Sequence, residues 1–408
     1  MPTPAPAHPS IFAPSRRDGL ARLADFAPRA GRAYQANRNS DFGPDRRDAT
    51  SLLSPWLAHG LIGEAEVLTS VLSAHGMSDA YKFVSEVFWR IYFQGHMEWK
   101  PAVWRAYVEA RDADLARLDQ DQGLRASYDA ALAGRTGIDA FDAWAQELVD
   151  TGFLHNHTRM WVSSIWIFTL GLPWTLGADF FLRHLLDGDA ASNTLNWRWT
   201  AGLHTKGKTY LATKANIRRY TDGRFAPDGL ASEAPAVDEP VQLHRQKTLA
   251  LPDAPIPDGP FALLVHERAL APETLDLAGR KPDLLIGVAR PDARSPLGAA
   301  PAVASWTTAA LDDALQRGQE AFDCPVTNWE EGTPLADLWP DGTLVVPYLG
   351  QGWLRDVIRD DLSAHAAHAD CVRLLGPLDR AVWPHAKAGF FGVRKKMGEL
   401  MAEAGLAV

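Results

Sequence analysis

Cysteine is scarce in this chain: Cys324 and Cys371 are the only two among 408 residues. Two cysteines cannot form a disulfide framework, and they cannot supply the four ligands of an iron–sulfur cluster. Such usage is typical of proteins in a reducing compartment. The composition therefore predicts a cytoplasmic protein without structural disulfides.

Long apolar runs are also missing. The most apolar stretch, residues 161–174, is interrupted by Ser163, Ser164, Thr169 and Gly171, whereas a helix needs about 20 apolar residues to span a bilayer. The first ten residues, MPTPAPAHPS, lack the basic and apolar regions of a signal peptide. The sequence predicts no membrane span and no secretion signal.

Excess positive charge is lacking as well, because the formal net charge is −9. This balance argues against a protein that coats nucleic acid through its overall charge, although it is compatible with a local basic patch. His155, His157, His184 and His204 lack the spacing of zinc ligands. We therefore expect no metal site.

Apolar residues recur with helical periodicity through the first half of the chain, and no segment there alternates with the period of a strand. The pattern is clearest in the segments AEVLTSVLSAH, YKFVSEVFWRIYFQ, FDAWAQELVDTGF and ADFFLRHLLDG. Turn signals separate them at Gly152 and at residues 171–173. The sequence predicts an all-α domain over residues 1–225.

The composition changes twice beyond this domain. Residues 226–260 are rich in Pro, Ala and Asp, which predicts a linker. Residues 261–408 contain the short apolar runs FALLVHE, DLLIGVA, TLVVPYL and CVRLLGP, separated by amphipathic segments. This alternation predicts a smaller α/β domain, Rossmann-like with a mostly parallel sheet. No G-x-G-x-x-G motif follows any of these runs, so a dinucleotide site in this domain is not supported.

Three motifs follow one another between residues 155 and 199: H-N-x-x-R-M, L-x-D-G-D-x-A-x-N and W-x-W. Their order and spacing resemble the FAD-binding helical domain of the DNA photolyase and cryptochrome family. The resemblance implies a bound FAD and a light-driven reaction. Members usually carry an α/β domain before the helical one, whereas here it follows, so the chain resembles a rearranged or permuted member. No residue identifies the antenna chromophore that such an α/β domain can hold.

The resemblance also implies which residues bind FAD. A Y-x-x-x-R and a T-S-x-L-S-P element correspond to the diphosphate end, and the later motifs to the flavin ring. Arg159 is expected to pair with Asp187, and Asn193 to face N5 of the ring. The alternative for the Ser and Thr residues is an ordinary helix cap; a calcium loop at D-G-D lacks the EF-hand pattern. The full set is Tyr34, Arg38, Thr50, Ser51, Leu52, Leu53, Ser54, Arg90, Asn156, Arg159, Asp187, Asp189 and Asn193.

A second implied set would contact a DNA lesion. In members that repair cyclobutane pyrimidine dimers, the Glu and Trp of an E-x-x-W-R segment meet the dimer. His157 departs from the Arg of these enzymes, and Asn156 and Met160 replace the histidines of (6-4) photolyases, so dimer repair is favoured over (6-4) repair. The alternative for Glu86 is an ion pair with Arg90, one helical turn away. The implied lesion set is Glu86, Trp89, Asn156, Met160 and Trp199.

Two tryptophans, Trp197 and Trp174, correspond to the first members of the family's electron-transfer chain. The corresponding stretch for the third member lacks a tryptophan, and its candidates are Tyr128, Trp144, Trp161 and Trp166. For Trp161 and Trp166 the alternative is packing in the core.

The resemblance implies a photolyase-like enzyme that uses FAD and blue light to repair cyclobutane pyrimidine dimers, with damaged DNA as its partner. The alternative is a cryptochrome-like photoreceptor that signals through another protein, and a third is other flavin redox chemistry on the same scaffold. A basic segment with interleaved tyrosines favours DNA binding, although a solubilising loop has the same composition. Its basic residues are Lys206, Lys208, Lys214, Arg218, Arg219 and Arg224. The sequence does not indicate the oligomeric state.

Overall fold

The computed structural model describes residues 11–239, 246–256, 258–340, 342–367 and 369–406. The first ten residues, for which we expect no signal peptide, lie outside this range. Residues 240–245 and 257 of the expected linker do so as well.

Helices follow one another through residues 11–220, and the described part of this region contains no strand. The all-α prediction is therefore confirmed. The helices are α1 (Arg16–Phe26), α2 (Arg32–Asn37), α3 (Ser54–Ala58), α4 (Glu64–Ala74), α5 (Met77–Trp99), α6 (Ala102–Leu118), α7 (Gln122–Leu132), α8 (Asp139–Thr151), α9 (Asn156–Ser164), α10 (Trp174–His184), α11 (Ala190–Thr200) and α12 (Lys214–Tyr220).

Local sequence explains where the helices that carry the later motifs end. Gly152 terminates α8 in the left-handed region, with φ at 66°, which glycine adopts without steric cost. After α9 the chain continues as one wider π-helical stretch over Ile165–Thr169 and breaks at Gly171, whose φ is also 66°. Asp189 caps α11 by accepting from the amide of Ser192. These breaks bring α9, α10 and α11 together as a compact group.

A five-stranded parallel sheet forms in the second part of the chain, in the order β3-β2-β1-β4-β5. The α/β prediction is confirmed, but the sequence analysis missed β3, because this short edge strand has the polar sequence VTN. The strands are β1 (Phe261–His266), β2 (Leu284–Val288), β3 (Val326–Asn328), β4 (Thr343–Pro347) and β5 (Cys371–Leu374). The helices are α13 (Pro301–Phe322), α14 (Leu335–Leu338), α15 (Trp353–Ala366), α16 (Pro377–Val382), α17 (Phe391–Arg394) and α18 (Met397–Glu403).

The described residues between α12 and β1 form neither helix nor strand, yet they are attached to the helical part. Arg198 of α11 forms an ion pair with Glu239, and the amide of Val237 donates to Ala201 O at 3.1 Å. Further on, the amide of Lys247 donates to Trp99 O at 2.9 Å. The domain limits remain a prediction from composition.

The two parts share one hydrophobic core. Helix α13 packs against α1 and α10, and α16 packs against α5. Two arginines of the α/β part reach the loop between α10 and α11. The guanidinium of Arg294, which is fully buried, donates to Leu185 O at 2.9 Å. Arg268 donates to Gly188 O at 3.2 Å. The α/β part thus contributes hydrogen-bond donors to a loop of the helical part.

Buried and half-buried histidines are expected to make the fold sensitive to acid. Burial lowers the pKa of His96 to about 3 and the pKa values of His155, His184, His204 and His266 to about 4, whereas an unfolded histidine has a pKa of about 6.5. Between these values the unfolded chain binds more protons, so the free energy of unfolding falls as the pH falls from about 6.5 to about 4. Glu147 and Asp379, whose pKa values rise to about 7, act in the opposite direction.

We expect the melting temperature to be about 5 °C or more lower at pH 5 than at pH 7.5. Circular dichroism melting across this range measures it. A melting temperature that stays constant from pH 7.5 to pH 4.5 would contradict the burial of neutral histidines.

Candidate functional site

The three motifs of the helical part meet in one cleft. Helix α9 presents residues three, four and seven positions apart on one face, and α11 faces it across the loop that follows α10. The space in the cleft, together with its open mouth, amounts to about 520 Å³. Its lining includes Asn156, Arg159, Met160, Asp187, Asp189, Asn193, Trp197 and Trp199. Many of the residues that the resemblance implies are therefore brought together.

An ion pair forms the floor of this cleft. Arg159 Nη2 lies 2.8 Å from Asp187 Oδ2, and Arg159 Nε donates to Leu154 O at 3.0 Å. The other carboxylate oxygen, Asp187 Oδ1, is buried and has no hydrogen-bond partner in the described chain. A buried acceptor without a partner is costly. Asp187 is therefore suited to accept an N–H group from a ligand.

Two further polar groups line the same wall. Asn193 Nδ2 donates to Ala178 O at 2.9 Å, which leaves the carbonyl oxygen of the Asn193 side chain as an acceptor. The indole N–H of Trp197 is buried and finds no acceptor among the described residues. A flat heterocycle with donors and acceptors along its edge would satisfy such groups.

Asp189 is placed differently from Asp187. Its Oδ1 caps α11 by accepting from Ser192 N at 2.7 Å, and its Oδ2 forms an ion pair with Arg268. Arg90 Nη1 lies 3.6 Å from the same oxygen. Burial alone would raise the pKa of Asp189, but the two arginines lower it below its ordinary value. Its charge is thus already compensated within the protein.

The residues of α5 do not line the cleft. Glu86 forms an ion pair with Arg38, and Arg90 Nε lies 2.8 Å from Glu64 Oε1. The alternative ion pair between Glu86 and Arg90 is not formed. Trp89 stacks on Phe390, which precedes α17 in the α/β part, with ring centroids 3.9 Å apart and planes at 21°. The aromatic face expected to meet a lesion is covered by the chain itself.

The diphosphate element lies outside the cleft. The chain turns at Leu52, whose φ is +59°, and Ser51 Oγ accepts from Leu53 N at 3.3 Å. No Ser or Thr side chain caps α3, so these residues do not form an ordinary helix cap. The amides of Ser51, Leu52 and Ser54 meet no acceptor in the described chain. Adjacent amides around a left-handed residue are a typical anion-binding arrangement.

One aromatic ring stands between the diphosphate element and the cleft. The guanidinium of Arg159 lies 5.5 Å from the ring centre of Phe153, and that of Arg47 lies 4.8 Å from it. Phe153 and Arg47 also line a small cavity together with Thr50. The cleft residues fit the ring of a flavin, and Phe153 lies between Arg159 of the cleft and Thr50 of the diphosphate element.

Tyr34 takes part in the packing of the core. Its ring makes edge contacts with Phe26 and Phe83, and burial together with the nearby Glu86 raises its pKa above the ordinary value. The structure therefore places Tyr34 beside the Glu86–Arg38 ion pair and not in the cleft.

Aromatic rings lead away from the cleft through Trp197. Its ring lies edge-on to Trp166, with centroids 6.2 Å apart, and Trp166 lies edge-on to Tyr128 at 6.1 Å. Trp174 packs on Tyr107 at 5.7 Å, and the described rings include no direct contact between Trp174 and Trp197. A side chain at Gly177 would collide with Trp197, so this glycine permits the close packing.

The mouth of the cleft carries an aromatic platform. Trp199 is 36% exposed and stacks on Tyr210, with centroids 5.5 Å apart and planes at 27°. Lys206 and Lys208 are exposed in the same loop, and the basic residues of α12 are exposed beyond it. The exposed basic residues thus follow the cleft residue Trp199 along the chain.

The sequence analysis missed the contributions of the α/β part. Arg268, Arg294 and Phe390 lie 69, 95 and 191 residues beyond Trp199, and no local pattern distinguishes them from other arginines and aromatics. Only the three-dimensional packing brings them to the D-G-D loop and to Trp89.

Among the described residues, no group of three His, Cys, Asp or Glu side chains could hold a metal ion. None of the described helices is long and apolar enough to cross a membrane.

Comparison with known proteins identifies the helical part. Residues 83–226 match the family model described as the FAD binding domain of DNA photolyase. The deoxyribodipyrimidine photo-lyase of Agrobacterium fabrum is 35% identical over 196 residues, which are 47% of this chain and 39% of that protein. Cryptochrome DASH of Natronomonas pharaonis is 31% identical over 222 residues, which are 52% of this chain and 45% of that protein.

One solved structure is also similar to part of the chain. The class III photolyase of Agrobacterium tumefaciens is 30% identical, with a TM-score of 0.42, and the match covers 51% of this chain and 43% of that one. The chain thus spans less than half the length of the relatives named here. Through its helical part, this chain is similar to the FAD-binding domain of the DNA photolyase and cryptochrome family.

Proposed function

We propose that the cleft between α9 and α11 binds the flavin ring of FAD and that the chain acts as a light-driven, photolyase-like enzyme on cyclobutane pyrimidine dimers in DNA. The observation that carries this proposal is the Arg159–Asp187 ion pair with its unpartnered carboxylate oxygen. An N–H group of the flavin ring is a suitable donor to that oxygen.

The side chains of the cleft would each have one task. Asp187 accepts a ring N–H, and Arg159 places a positive charge beside the ring, where it stabilises negative charge. Asn193 offers its carbonyl oxygen to a ring N–H. The buried walls exclude water, which strengthens these interactions. A reduced flavin, when bound and excited by light, would supply the electron that splits a dimer.

Recognition of the dimer would occur at the mouth of the cleft. A lesion must leave the DNA stack to reach a buried cofactor, and aromatic side chains receive such extruded bases. The stacked Trp199 and Tyr210 provide this platform, with Asn156 and Met160 below it. Lys206 and Lys208 can contact the DNA backbone.

A photoreceptor is the second candidate function, and a specific observation favours it. Phe390 covers Trp89, and Arg38 pairs with Glu86, so two of the residues implied for lesion binding are engaged within the protein. A protein that signals needs the flavin and the tryptophans but not a free lesion site. The α/β part would then be the surface that meets a signalling partner.

Removing the Asp187 carboxylate should remove the flavin. For Asp187→Asn we expect the FAD content after reconstitution to fall at least tenfold, because one acceptor becomes an amide and the charge beside Arg159 is lost. The absorbance of the purified protein near 450 nm measures the content. Asp179→Asn is the matched control, because Asp179 is paired with Arg183 and lies outside the cleft. Equal FAD content in the two variants would argue against the site.

The path of electrons to the flavin should follow the ring contacts. For Trp197→Phe we expect flavin photoreduction to slow at least tenfold, and Trp166→Phe should slow it more than Trp174→Phe does. Phenylalanine keeps the packing but is much harder to oxidise. Absorbance during blue-light illumination measures the rate. A larger effect at Trp174 would instead support the electron-transfer path through Trp174 that the family resemblance implies.

The two candidate functions differ in a repair assay. Purified protein with reduced FAD is incubated with an oligonucleotide that contains a cyclobutane pyrimidine dimer, under blue light and in the dark. Light-dependent repair, increased by Phe390→Ala because Trp89 becomes accessible, is the result expected for a photolyase. Photoreduction without repair in either protein would establish the photoreceptor as the better assignment.

A further inference from the structure

A fully buried histidine, His59, lies just after the diphosphate element. It directly follows α3, and this short helix begins with the last serine of that element, Ser54. The His59 ring lies 4.8 Å from the ring of Trp306 in α13, measured between centroids. The side chain is therefore enclosed where the helical part meets the α/β part.

Both nitrogens of the His59 ring face backbone carbonyls of other elements. Nδ1 lies 2.7 Å from the carbonyl oxygen of Glu267, just after β1, and Nε2 lies 3.0 Å from that of Leu186. Leu186 directly precedes Asp187, the carboxylate at the floor of the cleft. One side chain thus contacts both the α/β part and the residue next to this carboxylate.

The His59 ring is uncharged at neutral pH. Burial, together with the positive charges of Arg294 and Arg268, holds the pKa of His59 well below its ordinary value. An uncharged imidazole carries one proton, on either of its nitrogens. The ring therefore donates to only one of the two carbonyls at a time.

Each of the two uncharged forms connects the ring to the loop that follows α10. With the proton on Nε2, the ring donates to Leu186 O at 3.0 Å. With the proton on Nδ1, it donates to Glu267 O, and Nε2 accepts from Arg294 Nη2 at 3.5 Å. Arg294 Nη1 in turn donates to Leu185 O at 2.9 Å. The ring thus holds this loop directly or through Arg294.

The backbone of His59 is attached to the α/β part as well. Its carbonyl oxygen accepts from Leu270 N at 3.1 Å. The chain then turns at Gly60, whose φ is +64°, and a Cβ there would lie 2.8 Å from Arg268 O. Glycine adopts this conformation and allows this close approach. The end of α3 is therefore fixed through its backbone and through the His59 side chain.

We propose that His59 is a positioning residue that keeps the diphosphate element and Asp187 at the spacing that one FAD molecule requires. This inference rests on the proposed function, because it concerns the same flavin cleft. The five residues of α3 join the diphosphate element to His59, and the ring of His59 contacts the loop before Asp187. A ligand held at two sites gains affinity from the second site only while the two sites keep the matching distance.

Two ligands with the same ring separate positioning from general damage to the fold. FAD reaches both the cleft and the diphosphate element, whereas riboflavin carries the ring without a diphosphate. For His59→Leu we expect the affinity for FAD to fall about tenfold more than the affinity for riboflavin, because the loop and α3 lose their common contact. Isothermal titration calorimetry of the full chain with each ligand measures both affinities.

A second buried histidine provides the control. His365 of α15 is 3% exposed and does not line the cleft. His365→Leu should leave the ratio of the two affinities unchanged, although it also removes a buried imidazole.

Two amide variants test the contact itself. Gln places its side-chain amide where Nε2 lies in histidine, whereas Asn reaches only the position of Nδ1. His59→Gln should therefore keep the wild-type ratio of affinities, because its amide can donate to Leu186 O or accept from Arg294. His59→Asn retains only the contact with Glu267 O and should behave as His59→Leu does. If His59→Leu does not fold, the comparison of the two amide variants decides alone.

The outcomes distinguish this inference from the proposed function. A His59→Leu protein that loses affinity for FAD and riboflavin equally, or for neither, would overturn the positioning role and leave the flavin cleft in place. A wild-type ratio in His59→Asn, or its loss in His59→Gln, would overturn the contact with the loop. Wild-type protein that binds neither ligand would overturn the flavin cleft and the positioning role together.

Discussion

Two arginines from the α/β part, the half-buried Arg268 and the buried Arg294, hold the loop on which the candidate site depends. A buried guanidinium needs partners for its charge and its donors, and here they are the carboxylate of Asp189 and the carbonyls of Leu185 and Gly188. Removing one partner of such a pair costs roughly 3–5 kcal/mol. The D-G-D loop is therefore fixed from outside the helical domain that carries it.

This arrangement gives the two aspartates of the loop different roles. Asp189 faces Arg268 and Arg90, caps α11 and stays ionised. Asp187 faces the cleft with one oxygen paired to Arg159 and the other free. A glycine between them lets Arg294 approach closely, because a Cβ at Gly188 would lie 2.7 Å from Arg294 Nη1. Gly188 and Asp189 thus contact the α/β part, whereas Asp187 offers a hydrogen-bond acceptor to the cleft.

Much of this could be predicted from the sequence, for physical reasons that are local. Helical periodicity located α5 and α10, and the family resemblance implied that Arg159, Asp187 and Asn193 lie at one site, where the structure places them in one cleft. Continuous apolar runs located β1, β2, β4 and β5, whereas β3 has no apolar run. Contacts between distant residues, such as the stack of Phe390 on Trp89, leave no trace in a local pattern.

The order of the two parts along the chain explains the contacts that the α/β part makes with α5. Because it follows the helical domain, its last helices can pack back on α5, where Trp383 lies against Gly95 and Phe390 against Trp89. A side chain at Gly95 would lie 2.7 Å from the Trp383 ring, so glycine allows this close approach. The same part also forms a crevice with the C-terminal half of α5. Access to Trp89 thus depends on the docking of the C-terminal segment.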